Sequence, residues 1–242
     1  MARFFVDEFP AEGTEYSLTG ENADHARVLR LRPGEEVTLC DGKGTDCPCT
    51  VQPGGGLLAG APVPCPAEPA VRVSVWIAFP KGDKAEHVIQ KAVELGAAEI
   101  VLFPSRCCVS RPEGKALKNK LERWQKIARS AAEQSRRGRI PAVRAVDSYE
   151  AALAEAGRAE LPILFYENEE KLGLRELLPP GAAAAPKGVS LMTGPEGGFT
   201  EEEIARARAA GMRICTLGPR ILRCETAPLA GLTAVMYALG EM

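Results

Sequence analysis

Residues 1 to about 68 read, from the spacing of their apolar positions, as a small β-rich domain. Arg3 to Val6 suits a strand. Val37 to Cys40 and Thr45 to Val51, joined by Asp41-Gly42-Lys43-Gly44, suit a hairpin on a glycine turn. Between them, Asn22 to Leu31 suits one helix, with Ala26, Val28 and Leu29 inward. Arg27, Arg30 and Arg32 fall at its far end. Two readings of that end stand side by side: a solvated face with cations where the helix dipole favours them, and a phosphate-contacting patch. Ala61 to Pro69 carries four prolines and reads as an extended linker, so the boundary is expected between residues 69 and 70.

From Val71 the pattern changes. Val71 to Phe79 is a buried-strand candidate. Asp83 caps a helix running to Leu95, with Gly96 just past its end and Val88, Ile89, Ala92, Val93 and Leu95 as its apolar stripe. Glu99 to Phe103 suits a second strand. Ala116 to Ser135 is the longest helix, its Leu117, Leu121, Trp124, Ile127, Ala128 and Ala131 recurring on one face. Ser148 to Gly157 suits a short helix, Leu161 to Tyr166 a strand, and Pro179 to Pro186 an alanine-rich connection. Alternation of strand and helix predicts an α/β domain with a parallel sheet over residues 70–242. The last helix, Thr226 to Leu239, is apolar on more than one side, which favours burial, a second subunit being one partner for it.

Two apolar runs, Val189 to Met192 and Arg213 to Leu217, each feed a glycine-bearing loop that leads into a helix. Such strand–loop–helix turns are where α/β sheets place their ligands. The first loop, Met192 to Thr200, holds glycines at 194, 197 and 198 around Pro195-Glu196. Thr200 with Glu203 reads as a capping box. The second, Leu217 to Ala227, adds Arg220, Arg223 and Glu225, with Pro228 in the first turn of the next helix. Neither loop fits a dinucleotide or P-loop fingerprint.

Composition narrows the classes. A net charge of −2 gives no global basic field, so any nucleic-acid contact rests on local patches. The densest is Arg136-Arg137-Gly138-Arg139, which reads as a cationic helix end or as a phosphate contact. No run of about 18 apolar residues exists, and the first residues lack a signal peptide's apolar run, so a cytoplasmic protein is expected. The eight cysteines form no CxxC pair, and His25 and His87 are not at zinc-finger spacing. Free thiols acting as small hydrophobes, and no metal, are expected.

The segment Gly194-Pro195-Glu196-Gly197-Gly198-Phe199-Thr200 followed by Leu217-Gly218-Pro219-Arg220-Ile221-Leu222-Arg223-Cys224-Glu225-Thr226-Ala227 resembles the RsmE family. Its members are SPOUT-class, S-adenosyl-L-methionine-dependent methyltransferases acting on uridine N3 in small-subunit (16S) ribosomal RNA. Other stretches are similar to the same family. They are His25 to Gly34, Asp41 to Gly44, Lys81 to Lys84 with Gln90 to Gly96, and Glu133-Gln134 with Arg137 and Pro141. The chain departs from the family at Cys224, where threonine is usual.

The resemblance implies a PUA-like β-barrel over residues 1–69 and a trefoil-knotted SPOUT domain over 70–242. It implies a homodimer with its sites near the subunit boundary, and the 30S particle as partner. Carried over, Thr193, Gly194, Glu196 and Gly197 would line the cofactor, and Leu217, Gly218, Ile221 and Leu222 would hold its adenine and ribose. Arg27, Arg30, Arg137 and Arg139 would contact RNA. Arg223, Glu225 and Glu196 are the catalytic candidates: Arg223 as charge stabiliser, with no choice of base between the carboxylates. Glu225 is equally suited to capping its helix or pairing with Arg223. A non-catalytic RNA-binding assembly factor and a transfer-RNA methyltransferase remain as alternative functions.

Overall fold

The computed structural model describes residues 2–179 and 186–242, so most of the connection expected from Pro179 to Pro186 lies outside the described residues. Contacts divide the chain into two compact units: Met1–Glu68 with Ala132–Ile140, and Pro69–Ala131 with Pro141–Met242.

The first unit contains β1 (Ala2–Phe5), β2 (Glu15–Tyr16), α1 (Gly20–Leu29), β3 (Glu36–Cys40), β4 (Thr45–Val51), β5 (Leu57–Ala59) and β6 (Val63–Pro64). The strands form one sheet in the order β1-β3-β4-β5-β2, with β6 also on β4. β3 and β4 pair antiparallel across the Asp41 to Gly44 turn. Alternate residues of β4 are buried, which turns Cys47, Cys49 and Val51 onto Phe4, Val37, Leu39 and Leu57. Burial beside the Cys47 thiol pushes the Cys49 thiol up to about 12, so it packs as an apolar group.

Helix α1 differs from the expectation. None of its residues is buried, and Val28 and Leu29 are 78% and 43% exposed. Its inner side is made instead by Asn22 and Ala26, four residues apart, with the Asn22 amide donating to the Phe5 carbonyl at 2.8 Å. Val28 lies two residues from Ala26, off that face. Arg30 ends the helix at φ 54.

Arg137 also departs from the expectation of a side chain offered to RNA. It is 3% exposed, and its Nε and a terminal nitrogen donate to the two Glu68 oxygens at 3.2 and 2.9 Å. The Arg139 backbone N–H completes that carboxylate at 3.0 Å. A forked pair of this kind is held by geometry that only a guanidinium supplies.

The second unit contains β7 (Arg72–Ala78), α2 (Lys84–Glu94), β8 (Glu99–Phe103), α3 (Gly114–Gln134), β9 (Ala142–Ala145), α4 (Tyr149–Ala156), β10 (Leu161–Phe165), α5 (Leu174–Leu177), β11 (Gly188–Thr193), α6 (Glu201–Ala209), β12 (Arg213–Cys215) and α7 (Ala227–Ala238), counting only the part of α3 before Ala132. The sheet order is β12-β10-β11-β7-β8-β9, parallel throughout. This is a mixed α/β fold with a parallel sheet. β7, β8 and β11 are near-continuous apolar runs because both faces are covered. On one face Trp76, Phe103, Leu164 and Met192 meet Tyr149 and Leu153 of α4 and Ile204 and Ala207 of α6. On β7 and β11 also lies α7, which packs against α2.

Gly231 lets α7 approach β10: a Cβ there would fall 2.4 Å from the Phe165 ring. Alanine gains about 1 kcal/mol in helix propensity. Displacing a packed ring costs about 1–3 kcal/mol. Gly231→Ala is therefore expected to lower stability in chemical unfolding, against propensity alone. Arg137→Ala strands the Glu68 carboxylate, 12% exposed in its side chain. A loss of about 3–5 kcal/mol is expected for breaking such a pair. Equal midpoints for wild type and Arg137→Ala would return Arg137 to the surface role.

Candidate functional site

Parallel pairing fixes where the loops emerge. Thr193 ends β11 beside Ile77 of β7, and Leu164 of β10 pairs Met192, so these carboxyl ends share one edge. Four connections meet there: those after β7, β10, β11 and β12. They enclose a cavity of about 720 Å³ whose lining includes Lys84, Phe165 to Glu167, Thr193 to Glu196, Gly198 and Leu217 to Cys224.

The β11–α6 loop is built on a short turn in which the Gly198 N–H donates to the Pro195 carbonyl at 3.0 Å. Gly198 takes φ +66, and a Cβ there would lie 2.1 Å from a Glu167 carboxylate oxygen. Only glycine meets both demands. The loop then enters α6 through the expected capping box: Thr200 Oγ1 accepts from the Glu203 N–H at 3.2 Å, and Glu203 accepts from the Thr200 N–H at 2.9 Å. Glu203 also accepts from the Arg106 N–H at 2.8 Å, tying in the loop after β8.

Thr193 is 2% exposed, and its hydroxyl is buried without a hydrogen-bond partner. The oxygen is closed off from the cavity as well as from bulk water, and leaving such a group unpaired costs about 1–3 kcal/mol. Across the cavity, Leu217 and Leu222 are half-buried and Ile221 is 85% exposed. These aliphatic groups line the cavity rather than filling a core. Gly218 turns the chain at φ +101.

The charged groups sort into two sets. The Lys84 ammonium lies 2.9 Å from Glu196, 3.2 Å from Glu225 and 3.5 Å from the Cys224 sulfur. The Lys81 backbone N–H gives Glu196 a further bond at 3.1 Å. Burial alone would push the Glu196 carboxyl up, but these donors outweigh it and hold the group down to about 2. Glu225 is lowered by its own backbone N–H, against burial, and by Cys224 and Lys84. Burial and the Glu225 carboxylate push the Cys224 thiol up to about 12, so it is no thiolate nucleophile. It donates to Glu225 at 3.3 Å. The second set is Arg220 and Arg223, exposed on the cavity wall, with no carboxylate partner among the described residues.

The structure thus brings together Thr193, Gly194, Glu196, Leu217, Gly218, Ile221, Leu222 and Arg223 around one cavity, with Gly197 packed against Cys107 at its back. Glu225 neither caps α7 nor pairs Arg223; its partner is Lys84. Lys84 stands in a family-like segment of the sequence, but neither it nor the Phe165 to Glu170 wall was among the expected site residues. The signal for Lys84 is the need of two loop carboxylates for a counter-charge. Arg27, Arg30, Arg137 and Arg139 belong to the first unit. There Arg27 pairs Asp24 at 2.8 Å with both side chains exposed, and Arg30 and Arg139 are exposed.

A family model for an RNA methyltransferase domain matches residues 67–236, and one for an RNA methyltransferase PUA domain matches residues 18–56. A ribosomal RNA small subunit methyltransferase E of Bacillus subtilis is 36% identical, covering 98% of this chain and 96% of its own. One from Mycobacterium bovis is also 36% identical, covering 96% and 90%. The crystal structure of a ribosomal RNA small subunit methyltransferase E from Neisseria gonorrhoeae, bound to S-adenosyl methionine, matches with a TM-score of 0.78 at 34% identity, covering 98% and 97%. With its glycine loops, its parallel sheet and these relatives in agreement, the chain belongs to the ribosomal RNA small subunit methyltransferase E family of RNA methyltransferases.

Proposed function

We propose that this chain transfers a methyl group from S-adenosyl-L-methionine to uridine N3 of 16S ribosomal RNA, on the assembled 30S particle in the cytoplasm. The observation that carries the reading is the cavity. Its volume of about 720 Å³ suits a small-molecule site, and loops from the carboxyl edge of the parallel sheet line it. Aliphatic side chains from 217 to 222 suit a flat ring, and the loops offer backbone groups for a polar ligand. The donor set therefore fits the cofactor.

The chemistry the cofactor supplies when bound is an electrophilic methyl carbon on a positively charged sulfur. The chain's part is alignment and charge. Thr193, Gly194, Glu196 and Gly197 would hold the cofactor's polar groups. Leu217, Gly218, Ile221 and Leu222 would hold its adenine and ribose. Uridine N3 must lose its proton to attack well, which leaves negative charge on the ring carbonyls. Arg223, unpaired on the cavity wall, would stabilise that charge. Residues 1–69 would act as a PUA-like RNA-binding barrel, with Arg27, Arg30 and Arg139 reaching phosphates, while Arg137 stays inside. Residues 70–242 would be the SPOUT domain, knotted as a trefoil and paired in a homodimer.

Labelled methyl from S-adenosylmethionine, offered to hypomethylated 30S particles, naked 16S RNA and transfer RNA, is expected to appear as 3-methyluridine in the particle. Label in transfer RNA overturns the substrate. No label in any of them, with RNA bound, favours an assembly factor instead. Arg223→Ala is expected to lower kcat on the order of a hundredfold, the scale for losing one donor to a developing anion. Thr193→Val separates ligand from fold. It is expected to leave the protein equally or more stable in chemical unfolding, because a buried, unpaired hydroxyl is replaced by a methyl group. A loss of cofactor affinity in calorimetry would show that the hydroxyl reaches the ligand.

A further inference from the structure

Lys84 is the one group that joins three connections of the site. It opens α2 after β7, Glu196 belongs to the loop after β11, and Glu225 to the loop after β12. Its partners are distant in sequence, 112 residues for Glu196 and 140 for Cys224. The two loops have no strand pairing with each other, and their glycines make them costly to order. Lys84, with the Cys224 thiol beside it, therefore relates one to the other. We propose that Lys84 is a positioning residue for methyl transfer, clamping Glu196 and Glu225 so that both cofactor loops take their working shape. This rests on the reading of the cavity as a cofactor site.

The clamp also makes the two carboxylates weaker bases. A base must offer a lone pair to N3–H, and the better it is stabilised by other donors the weaker it becomes. Glu196 already accepts from Lys84 Nζ and the Lys81 N–H on one oxygen, and Glu225 accepts from Lys84 and Cys224. The charged and titratable groups facing Glu196 are Lys84 on α2 and Cys224 on the β12–α7 loop. The Glu196 value, about 2 against an ordinary 4.5, agrees with that. Being lowered, it marks a contribution present above the ordinary value and lost as pH falls towards 2. At neutral pH the clamp is closed.

The test uses the full chain with Lys84→Met and Lys84→Arg. Cofactor affinity is read by calorimetry, kcat and KM on hypomethylated particles, and the Glu196 carboxyl by carbon NMR titration. Lys84→Met is expected to lower kcat/KM for the cofactor by about tenfold or more, the scale of a lost charge-assisted bond. The Glu196 midpoint should rise from about 2 towards 4.5, and Lys84→Arg should recover most of both. Wild-type affinity and turnover in Lys84→Met overturn the proposal. So does an unmoved Glu196 midpoint. If Lys84→Met does not fold, Lys84→Gln, Glu196→Gln and their double variant decide it. A double loss smaller than the sum supports a single clamp, and additive losses sink it. Absence of cofactor binding by wild type is a separate failure, that of the methyltransferase reading, because the Glu196 titration needs no cofactor.

Discussion

Parallel pairing of β11 between β7 and β10 is the constraint from which the rest of the site follows. A parallel sheet sends every carboxyl end to the same edge. Residues far apart in the chain, such as Lys84, Thr193 and Arg223, are thereby delivered to one rim. Full burial of β11 on both faces shuts Thr193 away from water, so its hydroxyl has no solvent to fall back on. Had β11 lain at the sheet edge, the same hydroxyl would be hydrated and would say nothing. The position of the strand in the order gives the orphaned group its meaning.

Charge is handled differently in the two units. In the first, Glu68 and Arg137 neutralise each other out of water. Of the cations facing solvent there, Arg30 and Arg139 lie on a helix end and on the segment beside Gly44. In the second unit, Lys84 is held by two carboxylates while Arg220 and Arg223 have no carboxylate partner among the described residues. With a net charge of −2, the molecule as a whole offers no steering field for a polyanion. Any attraction must come from these local exceptions, so pairing decides which arginines count.

What the sequence reveals depends on how local the cause is. The helix over Lys84–Glu94, the strand over Glu99–Phe103 and the Thr200–Glu203 box all stand in the expected places, since periodicity and capping act within a few residues. The edge strand β9 buries only Val143 and has no alternation to show. Strands β2, β5 and β6 span two or three residues each, too short for a period. The inner face of α1 was obscured because small and polar Ala26 and Asn22 form it, leaving the larger Val28 outside. Arg137 read as surface because its partner, Glu68, is 69 residues away. Lys84 was illegible for the same reason. The glycine loops were legible because their composition itself breaks the rules of a core.

Those broken rules collect on one wall, and that is an argument about free energy. An 85% exposed Ile221 forgoes about 1.5–3 kcal/mol of burial. The Thr193 hydroxyl forgoes its hydrogen bond at a cost of about 1–3 kcal/mol. Apolar contact would be the simplest way to fasten the β11 and β12 loops together, yet Leu217, Ile221 and Leu222 are turned to the cavity instead. An ion pair can fasten the loops from the rim without filling the space between them. The aliphatic wall is then recovered by one event, the entry of a ligand with a flat apolar face, while the Thr193 hydroxyl stays closed off. Local inconsistencies collected at one place mark a functional site more firmly than any one of them alone.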